Sequence, residues 1–152
     1  MIQRIQTVYL ILAVACMGLL FLSAMSFMSV QAPGAAALQD PLLADGIFDV
    51  SDHSILLVLA SVAMLLPALI IFLFKNRKLQ MKLTRISIVL IVLVIALTII
   101  LFMQAFSSVP VGTEVTVEFG YLSPVLAIIF LVLALRFIKK DEKLVRSADR
   151  LR

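Results

Sequence analysis

Four long apolar runs constrain the fold of this chain more than any other feature. They cover residues 7–28, 54–74, 86–106 and 121–138. Each is close to the ~20 residues that cross a hydrocarbon core of ~30 Å as a helix. Lipid offers backbone amides no hydrogen-bond partner, so helices are predicted, and the continuous apolarity argues against the alternating strands of a barrel. We therefore predict an all-α integral membrane protein, a single domain over residues 1–152 folded as a four-helix transmembrane bundle.

The composition excludes the competing classes of protein. Hydrophobic residues make up 63% of the chain and charged residues 14%, so a soluble domain could not cover its own surface with polar groups, and disorder is excluded as well. The single Cys excludes a disulfide framework, and with only one His it argues against zinc or haem. We therefore expect no metal and no cofactor.

The charges are divided between the two sides of the membrane. All 13 Lys and Arg lie outside residues 29–53 and 107–120, whereas six of the nine acids lie within these two loops. The positive-inside rule then predicts two outer loops there, a cytoplasmic loop at 75–85 and cytoplasmic termini. The first run is too long for the apolar region of a cleaved signal peptide, so we expect it to stay as a helix.

The outer loops carry strand-like patterns. Asp45-Gly46 predicts a turn ahead of alternating apolar residues up to position 53, and residues 113–119 alternate in the same way. We predict that these two segments pair as a small sheet, a β cap on the outer face of the bundle that is formed by the two outer loops. Asp52 is expected to be the N-cap of the second membrane helix.

The predicted spans contain few side chains that could bind ions or take part in a reaction. None has Asp, Glu, Lys or His in its middle, which argues against proton-coupled transport and ion conduction. Gln104 is their most polar residue and is expected to make an interhelical or interfacial hydrogen bond, while Pro67 should kink its helix. His53 with Asp52 and Asp49 is the only candidate for catalysis, and we expect no enzyme activity.

The basic residues of the chain are concentrated on the predicted cytoplasmic face. We predict that the last span continues as an amphipathic tail helix over 139–152, with Leu144, Ala148 and Leu151 on one face. The cations there form either a topogenic belt or a surface that contacts anionic lipid or a protein partner. The candidate contact residues are Lys75, Arg77, Lys78, Lys82, Arg85, Lys139, Lys140, Lys143, Arg146 and Arg150.

Three separate segments carry a family resemblance. Residues 1–7 (MIQRIQT), 71–80 (IFLFKNRKLQ) and 140–152 (KDEKLVRSADRLR) resemble domain-of-unknown-function family 4293, a family of Bacteroidetes membrane proteins. The resemblance covers essentially the whole chain and implies a four-helix protein of the bacterial inner membrane. It implies no activity, substrate or catalytic residue.

Two functions remain in view. The leading hypothesis is a non-enzymatic accessory or scaffold subunit that docks a membrane complex or anionic lipid through its basic cytoplasmic face. The alternative is a carrier or binder of a lipid or other hydrophobic small molecule between the helices, near Pro67. The basic charge follows topology, so nucleic acid is not expected; the sequence leaves homo-oligomerisation open.

Overall fold

A computed structural model describes residues 3–22, 24–31, 41–73, 76–107, 109–110 and 112–149. The described chain is mostly helical, with a small sheet at one end. The helices are α1 (Gln3–Leu19), α2 (Ser54–Phe72), α3 (Arg77–Phe106) and α4 (Leu122–Asp149), and the strands are β1 (Met28–Gln31), β2 (Ile47–Phe48) and β3 (Glu114–Val117).

The four helices form an antiparallel ring. α1 packs against α2 and α4, and α3 packs against the same two helices. Side-chain contacts between the start of one helix and the end of its neighbour set the directions: Gln6 bonds Asp141, and Gln80 bonds the Ile70 carbonyl oxygen. We call the end where α1 and α3 begin the basic end, and the opposite end, with the sheet, the cap end.

The buried positions of each helix recur at alternating intervals of four and three residues. This repeat of 3.5 residues is typical of left-handed bundles, in which each helix keeps one seam towards its neighbours. Many seam residues are small, which lets the helices approach closely. The seams are Gln6, Leu10, Ala13 and Met17 in α1; Leu56, Ala60, Ala63, Pro67 and Ile70 in α2; Gln80, Thr84, Ser87, Ile91, Val94, Thr98 and Leu101 in α3; and Ala127, Leu131, Ala134, Ile138 and Asp141 in α4.

Three of these helices are long and apolar enough to cross a membrane, namely Ser54–Phe72, Arg77–Phe106 and the helix within Phe119–Val145. The prediction of one helix over 7–28 is wrong. α1 has 17 residues, about 25 Å at 1.5 Å per residue, and it ends at Leu19. The chain then turns and enters β1, so the apolar residues after Leu19 include core residues of the cap, such as the buried Phe27, rather than a last turn of helix.

The other helices differ from the predicted spans mainly at the basic end. α3 begins at Arg77, nine residues before the predicted start, because the Asn76 side chain accepts a hydrogen bond from the Leu79 amide at 3.2 Å and caps the helix there. α4 runs without a break from Leu122 to Asp149, so the predicted last span and most of the predicted tail helix are one element. Residues 150–152 lie outside the described chain.

The cap is a three-stranded antiparallel sheet with the order β2-β1-β3. The two predicted outer loops do form a small sheet, since β1, at the start of the first loop, pairs with β3 of the second. The two segments that were expected to pair do not pair with each other, because β1 lies between β2 and β3. β1 pairs Met28 with Phe48 on one side and with Val117 on the other. The expected turn is present, with Gly46 at φ 75°.

Aromatic rings join the cap to the bundle. Phe48 lies 6.2 Å from Phe27 and 5.8 Å from Phe102 of α3, measured between ring centroids. Tyr121, just before α4, meets Phe27 edge-on at 5.6 Å. Phe27 and Phe48 are almost completely buried. The cap is therefore packed onto the helices by its own hydrophobic cluster.

Candidate functional site: the basic end of the bundle

Exposed cations follow one face of α3 at its first turns. Lys78, Lys82 and Arg85 are spaced by four and three residues, and all three side chains are exposed. Positions with this spacing lie on the same side of a helix. Arg77 differs from them, because it is half-buried and its guanidinium donates a hydrogen bond of 3.1 Å to the Asp141 carbonyl oxygen. Arg77 therefore ties α3 to α4.

A second group of cations lies on the end of α4. Arg136, Lys139, Lys140 and Lys143 are exposed and share one side of the helix by the same spacing argument. α3 and α4 are neighbours in the bundle, so the structure brings six of the predicted contact residues onto adjacent helix ends. Three others are not placed, since Lys75, Arg150 and the side chain of Arg146 lie outside what the structure describes.

Beneath this surface lies a layer of buried polar side chains. The Gln6 side-chain amide donates a hydrogen bond to Asp141 Oδ2, and Asp141 is only 5% exposed. Gln80 is also buried, and its Nε2 lies 3.5 Å from the Ile70 carbonyl oxygen in the last turn of α2. Asp141 Oδ1 has no hydrogen-bond partner among the residues that the structure describes. Through these contacts all four helices take part in a polar layer of Gln6, Gln80, Arg77 and Asp141.

This layer was not predicted from the sequence, where residues 139–152 were assigned to a tail helix beyond the last span and Asp141 was not singled out. A signal was present: Asp141 follows Ala134 and Ile138 at intervals of seven and three residues, in phase with the seam of α4. Gln6 and Gln80 begin the seams of α1 and α3 in the same way. The polar layer is therefore the continuation of the bundle core, not part of its surface.

The candidate catalytic residues have structural roles at the cap end. His53, not Asp52, is the N-cap of α2, and its Nδ1 accepts a hydrogen bond from the Ile55 amide at 3.3 Å. Asp52 instead accepts from the Asp49 amide at 2.6 Å. Among the described residues there is no group of three or more His, Cys, Asp or Glu that could hold a metal ion. These contacts explain the cluster as loop and helix-end structure.

Burial raises the pKa of Asp52 to about 6. The hydrogen bond from the Asp49 amide lowers this pKa, whereas the neighbouring Asp49 and Asp45 carboxylates raise it further. Since this pKa lies above the ordinary Asp value of 3.8, the folded cap binds a proton that the unfolded chain releases. We expect the stability of the cap to fall as the pH rises from about 4 through 6, and to level off above. Carbon NMR of the Asp52 carboxyl should show a midpoint near 6.

The matched variant for this titration is Asp52→Asn, which keeps an oxygen acceptor for the Asp49 amide and cannot ionise. We expect amide exchange in the cap of this variant to lose the added pH dependence between pH 4 and 7. A carboxyl midpoint close to 4 in the parent protein would contradict the prediction.

The structure places Pro67 and Gln104, the two residues that the sequence singled out within the spans. Pro67 is buried in the seam of α2, and Gln104 is exposed near the end of α3. The hollows lined by described residues at the cap end include one of about 360 Å³ along the face of α2 around Val58 and one of about 260 Å³ between Phe21, Asp49 and Leu57. Neither is lined by Pro67, so they do not support the predicted binding cavity near that residue.

Together, the helices and the capping sheet define a class of protein: a helical membrane protein with a small sheet at one end and a basic surface at the other. Within that class the chain belongs to the family described as a domain of unknown function (DUF4293), whose model matches residues 2–151. The family resemblance of the three segments is thereby confirmed. No curated protein matches the chain.

Proposed function

We propose that this chain is a non-enzymatic accessory or scaffold protein of the bacterial inner membrane, which docks through its basic end. The occupant of that end is the anionic headgroup layer of the cytoplasmic leaflet. Both termini are then cytoplasmic, since the cations lie at the end where α1 begins and α4 ends, and cations favour the cytoplasmic side.

The observation that carries this proposal is the pair of cationic helix ends. α3 has 30 residues and α4 has 28, which gives lengths of about 45 and 42 Å. A hydrocarbon core of about 30 Å leaves more than 10 Å of each helix outside it. The cap ends of both helices are apolar, so the excess lies at the basic end, where the exposed Lys and Arg can reach the headgroups.

The charge distribution favours anionic lipid as the partner. At this end every charged side chain that the structure describes as exposed is a cation, because Asp141 is buried and Glu142 is half-buried. Each cation close to an anionic leaflet contributes about 1 kcal/mol of attraction. The side chains are long and flexible, which suits a diffuse layer of phosphates better than one shaped ligand.

The proposal is tested by neutralising the six exposed candidates together, with Gln at Lys78, Lys82, Arg85, Lys139, Lys140 and Lys143. Protein is taken from nanodiscs of mixed zwitterionic and anionic phospholipid, and its bound lipid is read by native mass spectrometry. We expect the parent to retain anionic lipid preferentially and the variant to lose that preference, since up to about 6 kcal/mol of attraction is removed.

The matched control exchanges Lys and Arg at the same six positions, which keeps every charge. We expect it to behave as the parent. Seven other cations remain in the neutralised variant, so its orientation should be kept, and labelling of a terminal tag from each side checks this. Equal retention of anionic lipid by parent and neutralised variant would overturn the proposal. So would a protein partner that the parent captures and the neutralised variant loses while the bound lipid is unchanged, because the surface would then dock a complex.

A further inference from the structure

The cap sheet has one apolar and one polar face. Cross-strand partners present their side chains on the same face of a sheet, so the pairing of Val30 with Val115 and of Met28 with Phe48 and Val117 defines the apolar face. Val30 and Phe48 on this face are buried, and the Phe48 ring packs against Phe102 of α3. The apolar face is therefore the one directed towards the bundle and the membrane.

β3 extends beyond the helices that cover the rest of this face. Val115 and Val117 are 37% and 66% exposed, although their partners Val30 and Met28 are buried or half-buried. Alternation continues through the extended backbone of Glu118, whose carboxylate accepts from Ser29 Oγ at 2.9 Å on the polar face. Phe119 then follows on the apolar side and is 77% exposed. The overhanging stripe consists of Val115, Val117 and Phe119.

This stripe is continuous with a surface that must face lipid. The apolar span that includes most of α4 begins at Phe119, just before that helix. Leu122, Val125 and Ile129 follow on one face of α4, each more than 40% exposed. The stripe of β3 points in the same direction as the buried face of the sheet, from the cap towards the membrane. Polar groups such as Glu114 and Thr116 lie on the opposite face.

We propose that the overhanging stripe of Val115, Val117 and Phe119 is a lipid-contacting surface that inserts into the interface of the leaflet on the cap side. Apolar residues that lie in the interface plane are buried to about 5–10 Å between headgroups and acyl chains. Because β3 carries no cation, this contact does not require anionic headgroups, and zwitterionic or neutral lipid is the expected partner. The cap is thereby held level with the membrane surface, independently of any docking at the basic end.

The main competing occupant is a second copy of the chain. β3 is an edge strand of the sheet, and unpaired edges can pair with one another. An edge pair would protect the stripe and the polar face to a similar degree and would depend on protein concentration. Insertion into lipid protects alternate residues only and is independent of concentration.

The test uses an environment-sensitive fluorophore on single cysteines in β3. Val117→Cys is compared with Thr116→Cys, its neighbour on the polar face, both in a Cys16→Ala background and reconstituted in nanodiscs. Quenching is measured with phospholipid that carries a spin label near its headgroup, and separately with aqueous iodide. We expect lipid quenching at position 117 to exceed that at 116 by about twofold or more, and iodide quenching to show the reverse order.

A second pair, Val115→Cys and Glu114→Cys, should repeat the alternation. Both positions 115 and 117 are exposed, so the substitutions should not disturb folding, which elution profile and circular dichroism check. Equal quenching of the two residues of each pair by both quenchers would overturn the proposal. So would protection of position 117 from both quenchers that disappears when each nanodisc holds only one chain, since a second copy would then be the occupant.

Discussion

Gly120→Ala is expected to destabilise the protein by about 3 kcal/mol, at the upper end of the usual cost of overpacking. A Cβ atom at Gly120 would lie 2.3 Å from the Ser26 carbonyl oxygen and 2.9 Å from the Met25 carbonyl oxygen. Both atoms belong to the backbone, so they cannot move aside as a flexible side chain would. The Gly120 amide also donates to the Ser26 oxygen at 3.0 Å, and the substitution would break this link between the cap and α4.

The matched control for this prediction is Gly18→Ala. A Cβ at Gly18 would meet only Met64 Sδ, at 3.6 Å, and Ala is favoured over Gly inside a helix by up to about 1 kcal/mol. The free energy of unfolding is measured by SDS titration in mixed micelles, with hydrogen exchange of the β1 and β3 amides as a local readout. We expect the control to match or exceed the parent, and Gly120→Ala to lose protection first in the cap. Equal stability of the two variants would contradict the prediction.

The sequence predicts the helices because each apolar run has the length that a membrane requires. It fails at the end of the first run, where apolar residues have a second use. Leu20 and Phe27 are buried as core of the cap, yet hydropathy cannot distinguish them from lipid-facing residues. The strand β1 was missed for the same reason, since Met28 and Val30 continue the apolar pattern and provide no sign that two other strands pair with them.

The seams of the bundle are hard to see in the sequence for another reason. In a soluble helix the buried face stands out against polar residues, but in a membrane the outer face is apolar as well. The contrast that remains is size and polarity: Ala60 and Ala63 in α2, and Thr84 and Ser87 in α3, mark the inner side. The burial of Asp141 was not predicted because charged residues surround it in the chain, although its spacing from Ile138 places it in the seam.

Gln6→Leu is expected to cost about 3 kcal/mol, because it removes the described hydrogen-bond donor of a buried carboxylate. Asp141 Oδ2 accepts from the Gln6 amide, whereas Oδ1 has no partner within the described part of the chain. Loss of Gln6 would leave neither oxygen with a described partner, although Asp141 is only 5% exposed. The matched control is Gln104→Leu, the same change at an exposed glutamine of α3, which we expect to leave the free energy of unfolding nearly unchanged.

The double variant Gln6→Leu with Asp141→Leu distinguishes the effect of losing the hydrogen bond from the effect of changing the packing of the Gln6 side chain. Since it removes the carboxylate together with its donor, no buried charge is left unpaired, and apolar replacements of buried polar pairs are often neutral or stabilising. We expect the double variant to be more stable than Gln6→Leu alone, so that the two substitutions are strongly non-additive in a double-mutant cycle. Additive losses would show that Gln6 and Asp141 do not depend on each other. Non-additivity would show that Gln6 stabilises the fold because Asp141 is buried opposite it. A carboxylate at the last seam position of α4 then needs a hydrogen-bond donor from α1, and Gln6 supplies it.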